Sequence, residues 1–237
     1  MTKIAAFSDI HGNIKNYKDI FPGIELVILP GDFCNLDDVE EQKKEFPELS
    51  NTLVEMFPDA QEFIVVPGNH DFLLERISTS WNPELEYRNL LGHKFRVLVD
   101  EKYVFTNLLN GDEITMYGCP RTDLNMAFPH LWGNNDIKRI PSGLDFLITH
   151  EAPRWYDLPC VKEYVGRFGT SEPGSKLLYD RVQKVRPKIH FFGHIHRQCS
   201  LSDKNTTYYN CSQMWGGNFS PNIIMIDYSP LEGTKIL

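Results

Sequence analysis

Five short blocks hold the residues of this chain whose types and spacing could do chemistry: Asp9-Ile10-His11, Gly31-Asp32, Gly68-Asn69-His70-Asp71, Thr149-His150 and Gly193-His194-Ile195-His196. Asp, Asn and His together suit divalent ions at the hard-to-borderline boundary, such as Mn, Fe, Zn or Ni. Asp9 and His11 are two apart, so on an extended backbone they face the same way and reach one ion. Asp32 can bridge, because a carboxylate offers two oxygens. Asn69 adds a neutral oxygen, which limits the total negative charge. His194 and His196 again share a face and can each serve a different ion. Two ions about 3.5–4 Å apart can hold a shared hydroxide and clamp a phosphoryl group in line. The set is rich in oxygen and imidazole and leaves positions open, unlike the closed, cysteine-rich sites of structural zinc. Any one block is a weak signal, and their conjunction in one order makes a metal site.

Something must bring these blocks together, and the sequence around them says what. Each follows an apolar run that reads as a strand: Ile4–Phe7, Leu26–Leu29, Phe63–Val66, Leu144–Ile148 and Ile189–Phe192. Ligands at the ends of several strands converge on one edge of a sheet, where open α/β folds place their sites. Gly12 permits a sharp turn after the first strand, and Asn13 can cap a short helix. From Leu36 to Met56 apolar residues recur at helical spacing, with Pro47 in the middle, so two consecutive helices or one kinked helix are expected. The opening order strand–helix–strand–helix–strand favours parallel pairing. Phe95–Val99, Tyr103–Thr106 and Glu113–Tyr117 are short and separated by turn residues. They predict antiparallel hairpins and hence a mixed or second sheet. Gly118–Asn135 reads as a long loop. A helix is expected from about Gly174 to Val185, then a strand over 188–192 and hairpin-like strands at Thr206–Asn210 and Ile223–Asp227. No linker, repeat or boundary interrupts this, so residues 1–237 read as a single domain.

The 237 residues are 41% hydrophobic, which predicts a globular chain with a sizeable core. A net charge of −8 with no block of Lys and Arg argues against an extended nucleic-acid surface. No apolar stretch approaches the roughly 20 residues of a membrane span. The five cysteines (34, 119, 160, 199 and 211) are scattered and form no C-x-x-C pair, so reduced thiols and a cytoplasmic location are expected. Met1-Thr2-Lys3 runs straight into the first strand, which leaves no room for a cleavable signal. A small substrate is expected, and the oligomeric state is open.

The five blocks resemble the pattern D-x-H, G-D, G-N-H-[D/E], H and G-H-x-H of the calcineurin-like metallophosphoesterases. The resemblance implies an α/β four-layer sandwich, two mixed β-sheets flanked by helices. It implies one metal on Asp9, His11, Asp32 and His196 and a second on Asp32, Asn69, His150 and His194. It also implies that His70, held by Asp71, stands near the leaving group as general acid or charge stabiliser. Within the superfamily, Leu29-Pro-Gly-Asp-Phe33, Tyr117-Gly-Cys-Pro120, the run Ile140–His150 and the run Val185–His196 look like the metallophosphoesterase-domain-containing (MPPED) subgroup.

The expected activity is therefore that of a dinuclear metal-dependent phosphoesterase, most plainly a phosphodiesterase acting on cyclic nucleotides or other small phosphodiesters. Two divalent ions would serve it, with Mn favoured among Mn, Fe, Zn and Ni. The rivals are a phosphomonoesterase or protein phosphatase on the same core, and a metal-binding scaffold with vestigial activity. Gly31-Asp-Phe-Cys-Asn-Leu-Asp37 lacks the arginine of the G-D-x-x-D-R-G block that protein phosphatases carry, and this weighs against the first rival. Arg121 and Arg154 follow loop prolines and could meet a phosphate or simply face solvent. Phe128 and Trp132 could stack on a base, though core packing is favoured. His190 reads as a packed core residue, His93 and His130 as structural or exposed, and Cys34 as a small buried hydrophobe.

Overall fold

The computed structural model describes residues 1–35, 37–123, 126–129, 135–155, 157–162, 173–215 and 218–236. Its first sheet is built around Thr2–Ala6 (β1), Leu26–Leu29 (β2), Glu62–Val65 (β3) and Phe95–Val97 (β4), which run parallel in that order. These strands are near-continuous apolar runs, as strands covered on both faces must be. Ile224–Ser229 (β13) lies antiparallel to β1, and Gly233–Ile236 (β14) follows it.

The second sheet has the order β5-β6-β7-β8-β10-β9. Glu101–Thr106 (β5) and Glu113–Cys119 (β6) form an antiparallel hairpin. Phe146–Thr149 (β7), Ile189–Phe192 (β8) and Thr207–Asn210 (β10) continue parallel to β6, and Cys199–Ser202 (β9) closes the edge antiparallel to β10. Met214–Trp215 (β11) and Asn218–Phe219 (β12) make a small separate ribbon.

Alternation along the strands decides the layering. Ile4, Ala6, Leu26, Ile28 and Ile64 of the first sheet meet Met116, Phe146, Ile148, Ile189 and Phe191 of the second in one buried cluster. The intervening residues, Ala5, Val27, Leu29, Phe63 and Val65, face the other way. They pack under Val39–Met56 (α1), Phe72–Ser78 (α2) and Pro83–Leu91 (α3). On the far side Tyr117, Leu147, Phe192 and Tyr208 pack under Asn135–Arg139 (α4) and Lys176–Val185 (α5). Helices, sheet, sheet and helices give the four layers expected.

Several boundaries differ from the sequence reading. The run at Phe95 is a fourth parallel strand of the first sheet, not half of a hairpin, because α2 and α3 carry the chain back to the same end after β3. Thr207–Asn210 is likewise parallel to β8 as well as paired with β9. Residues 39–56 form a single helix with Pro47 inside it. Asp38 caps that helix by accepting from the amides of Glu40 and Glu41 at 2.9 and 3.0 Å. Cys160 and Cys199 pair as a disulfide, where scattered spacing predicts reduced thiols. Folding of the segment after β7 against β9 brings the two together from 39 residues apart. Cys34, Cys119 and Cys211 are free and buried. Among the described residues no helix is long and apolar enough to cross a membrane. His130 and Trp132 lie outside the described residues.

At Gly118 of β6 the second sheet packs directly against residues that follow β3 and β4 of the first. A Cβ there would stand 2.3 Å from Leu98 Cβ and 2.9 Å from Val66 Cγ2. Gly118→Ala is therefore expected to destabilise the fold by about 1–3 kcal/mol, the usual cost of overfilling a core. Urea unfolding of the variant measures this, and unchanged stability would contradict the sandwich spacing.

Candidate metal centre

Parallel strands deliver the five blocks to one end of the sandwich. The turns that follow β1, β2 and β3 carry Asp9, Asp32 and Asn69, while those that follow β7 and β8 carry His150 and His194. The first sheet is stitched to the second at this end: the Ser8 amide donates to Cys211 O at 2.9 Å and the Gln213 amide to Ser8 O at 3.0 Å. The strands stop short of the ligands, so the same-face argument for Asp9 and His11 does not apply. Asp9, His11, Asp32 and His194 instead all have positive φ, at 53°, 44°, 59° and 67°. Left-handed backbone is costly for residues other than glycine, and its concentration at one place marks a functional site.

These turns bring the seven expected ligands together. On one side His11 Nε2 lies 3.2 Å from His196 Nε2, His196 Nε2 lies 3.4 Å from Asp9 Oδ1, and His11 Nε2 lies 3.8 Å from Asp32 Oδ2. On the other, His150 Nε2 is 3.1 Å from Asp32 Oδ2 and 3.0 Å from Asn69 Oδ1, which is 2.9 Å from His194 Nδ1. Asp9, His11 and His196 form one group whose donor atoms lie within 4.8 Å of one another, and Asp9, Asp32 and His150 form a second. Imidazole nitrogens, carboxylates and an amide oxygen converge on a common volume, so the residues present fit two divalent ions. Asp9, Asp32, Asn69 and His150 are buried, while His11, His194 and His196 are part-exposed, so the pair has a deep side and an open side.

The packing is tight enough to require glycine: a Cβ on Gly68 would fall 2.2 Å from Asp32 Oδ1. Outer hydrogen bonds fix the ligands. Ser8 Oγ donates to Asp9 Oδ2 at 2.6 Å, the His70 amide donates to Asp32 Oδ1 at 2.9 Å, and His150 Nδ1 meets Pro30 O at 2.8 Å. The last contact makes Nδ1 the donor and directs Nε2 into the site.

Electrostatics follow from burial. Burial alone would raise the Asp32 carboxyl, but the charges of His150 and His11 and the His150 hydrogen bond outweigh it and hold Asp32 well below the usual range. Asp9 is held low in the same way, burial being opposed by His196 and His150. Burial pulls His150 down, but Asp32 and Asp9 push it up to about 10. His196 is raised by Asp9 against its own burial, whereas burial wins at His11 and lowers it. A histidine ligates only as neutral imidazole, so a proton held on His150 is one that ligation would release.

His70 and Asp71 are neighbours in sequence with separate tasks. Asp71 does not hold His70. Its carboxylate accepts from three buried amides: Gly68 at 2.7 Å, Asp32 at 2.9 Å and Phe33 at 3.1 Å. It therefore ties the loop after β2 to the loop after β3. Burial, and then the charge of Asp32, push Asp71 up to about 7 against those bonds. The His70 ring meets Asp37 instead, Nδ1 to Oδ1 at 2.6 Å. A carboxylate only accepts, so Nδ1–H donates and Nε2 is the nitrogen left for a substrate oxygen. The ring stands edge-on to that of His11, centroids 5.2 Å apart, on the open side.

The side residues resolve as follows. Arg121 donates from Nε and Nη2 to Asp100 Oδ2 at 2.8 and 2.6 Å, with its guanidinium 5.9 Å above the Phe128 ring. Arg154 Nε donates to Gly174 O at 2.9 Å. Phe128 is buried and offers no face to a base. His190 Nε2 meets Thr149 Oγ1 at 2.9 Å, and burial drops its pKa to about 3, as befits a core histidine. His93 is exposed. Burial pushes the Cys34 thiol up, so it is a packed, unreactive group. Sequence reasoning missed Asp37 and Gln42. Gln42 was findable: with Phe46, Leu49, Leu53 and Met56 it lies on the buried stripe of α1, an amide where apolar residues belong.

A family model described as calcineurin-like phosphoesterase matches residues 2–198. A UPF0046 protein of Caenorhabditis elegans is 26% identical over 235 residues, covering 96% of this chain and 75% of its own length. Metallophosphoesterase domain-containing protein 1 of Homo sapiens is 28% identical over 234 residues, covering 89% of this chain and 66% of that protein. Among solved structures, a phosphopantetheinyl hydrolase from Mycobacterium tuberculosis has a TM-score of 0.57 at 13% identity, covering 90% of each chain. A Thermus thermophilus protein has a TM-score of 0.53 at 13% identity, covering 88% of each chain. At these identities the structural likeness speaks for the fold.

The role given to Asp71 can be separated from the one the sequence implied. Asp71→Asn places a donor against buried amides, and leaving such groups unpaired costs about 1–3 kcal/mol. The variant is expected to lose that much stability and to bind metal more weakly, read by denaturation and metal titration. Normal stability and metal affinity with a turnover loss like that of His70→Ala would return Asp71 to the role of holding His70.

Proposed function

This chain belongs to the calcineurin-like phosphoesterase family, and from that premise we propose that residues 1–237 form one domain that hydrolyses small phosphodiesters with two divalent ions. The observation that carries the reading is the convergence of Asp9, His11, Asp32 and His196 beside Asn69, His150 and His194, with Asp32 facing both histidine groups. Two ions held there would supply Lewis-acid stabilisation of the phosphoryl oxygens and a nucleophile drawn from water at neutral pH.

The protein's own groups supply the rest. His70 stands on the open side with Nδ1–H committed to Asp37; as the imidazolium, protonated at Nε2 as well, it can give the Nε2 proton to a departing alkoxide and be left as the neutral ring still bonded to Asp37. Asp71 keeps the Gly31 and Gly68 loops in register, so the ligands remain placed while the substrate changes. Ser8 and the His194 amide, the latter 3.1 Å from Asp9 Oδ1, hold the Asp9 carboxylate toward the shared volume.

Among the described residues, the placement of Arg121 and Arg154 supports a diester over a monoester. A monoester dianion gains from an added guanidinium. Here Arg121 is already committed to Asp100, and Arg154 reaches back to Gly174. The block after Asp32 also lacks the arginine of protein phosphatases, and the MPPED resemblance points the same way. Mn is the favoured ion, because the donors are oxygen and imidazole without thiolate. A cytoplasmic location belongs to this proposal too. Three free buried thiols support it, and the Cys160–Cys199 pair weighs against it.

A panel of phosphomonoesters, a phosphopeptide, bis-p-nitrophenyl phosphate and cyclic nucleotides, assayed with Mn, Ni, Mg and Zn, tests the reading. A diester is expected to show the highest kcat/KM, since that ratio reports transition-state discrimination. A monoester or phosphopeptide ahead of every diester by more than about tenfold, some 1.4 kcal/mol, would remove the diesterase assignment.

A further inference from the structure

Helix α2 begins directly after the His70-Asp71 pair, and its first amides need acceptors. The residue at its N-cap is Asp71, a good capping type. Its carboxylate makes no cap, because it is turned toward Gly68, Asp32 and Phe33. The acceptor comes from another helix. Gln42 of α1 reaches across, and its Oε1 accepts from the Leu73 amide at 2.8 Å. Its Nε2 donates to the carbonyl of His70 at 2.7 Å. Gln42 is fully buried, and each end of its amide bonds this loop. No metal ligand touches it among these contacts.

We propose that Gln42 is the positioning residue for His70: it replaces the cap that Asp71 cannot give and fixes the backbone from which the His70 ring projects. The inference rests on the hydrolase reading above. Asp37 orients the ring at Nδ1, but an exposed aspartate cannot fix where the ring's backbone sits. A buried amide bonded on both sides of the loop can. Displacing a catalytic group by about 1 Å costs on the order of 10²-fold in rate. The effect should follow the leaving group. An aryl oxide departs with little protonation, whereas an alkoxide depends on His70.

The test uses the full chain loaded with Mn. Gln42→Met keeps length and bulk but removes both hydrogen bonds. Gln42→Glu keeps the acceptor for Leu73 and loses the donor to His70. Both are expected to hold the same metal content and KM as the unaltered chain. Turnover of a 3′,5′-cyclic nucleotide, or of another alkyl diester it cleaves, should fall about 10–100-fold. Turnover of bis-p-nitrophenyl phosphate should change little. In a His70→Ala background, Gln42→Met should add no further loss, because a residue that acts through His70 has nothing left to act on. If the Met variant does not fold, the Glu variant decides on the same readouts. Three results overturn the proposal: normal turnover of both variants while His70→Ala is impaired, additive losses in the double variant, or loss of the fold in both, which makes Gln42 purely structural. An unaltered chain inactive on every phosphoester overturns the hydrolase reading itself, whereas full activity as His70→Ala overturns the role given to His70 and with it this proposal.

Discussion

The carboxylate of Asp32 sits where water does not reach, next to a second buried carboxylate, and it stays ionised because histidines surround it. Burying a charge without compensation is prohibitive. His150 at 3.1 Å supplies the largest share of that compensation and is itself pushed up by Asp32, whereas His11 at 3.8 Å is lowered by its own burial. Two carboxylates and four imidazoles at this density, Asp9 and Asp32 with His11, His150, His194 and His196, make a site whose natural partner is positive charge. The rest of the structure is arranged around keeping it assembled.

That arrangement is paid in backbone strain and in hydrogen bonds. Four of the seven candidate ligand residues adopt left-handed backbone, each such non-glycine residue costing on the order of 1–3 kcal/mol. Parallel strands with apolar residues on both faces hold the approach to each turn, so the strain cannot relax by sliding a strand. Asp71 supplies the last constraint by joining two of the turns through three amides. Because Asp71 is used there, the first turn of α2 depends on Gln42 and the His70 ring on Asp37. One buried carboxylate thus sets the tasks of three other side chains.

What could be read from the sequence has a physical pattern. The five blocks were legible because each is a short polar run directly behind an apolar strand, whereas the four layers were expected from the family resemblance those blocks carry. The direction of β4 was not, since a three-residue strand carries no sign of whether its neighbour runs parallel. The task of holding His70 was assigned to Asp71 by the family resemblance, and its amide partners Asp32 and Phe33, which the sequence gives no sign of, lie 39 and 38 residues away. Asp37 and Gln42 escaped for the same reason, being 33 and 28 residues from His70. Arg121 looked available for a phosphate until the hairpin turn placed Asp100 against it.

In the proposed function Asp32 joins two ion positions into one centre. Elemental analysis of the chain after Mn loading and exhaustive dialysis addresses it directly, with Asp32→Ala beside it. Two ions per chain are expected for the natural sequence, and fewer than one for the variant with its fold intact. A natural chain that stays at one ion or below while fully folded, or a variant that keeps both, would contradict the account.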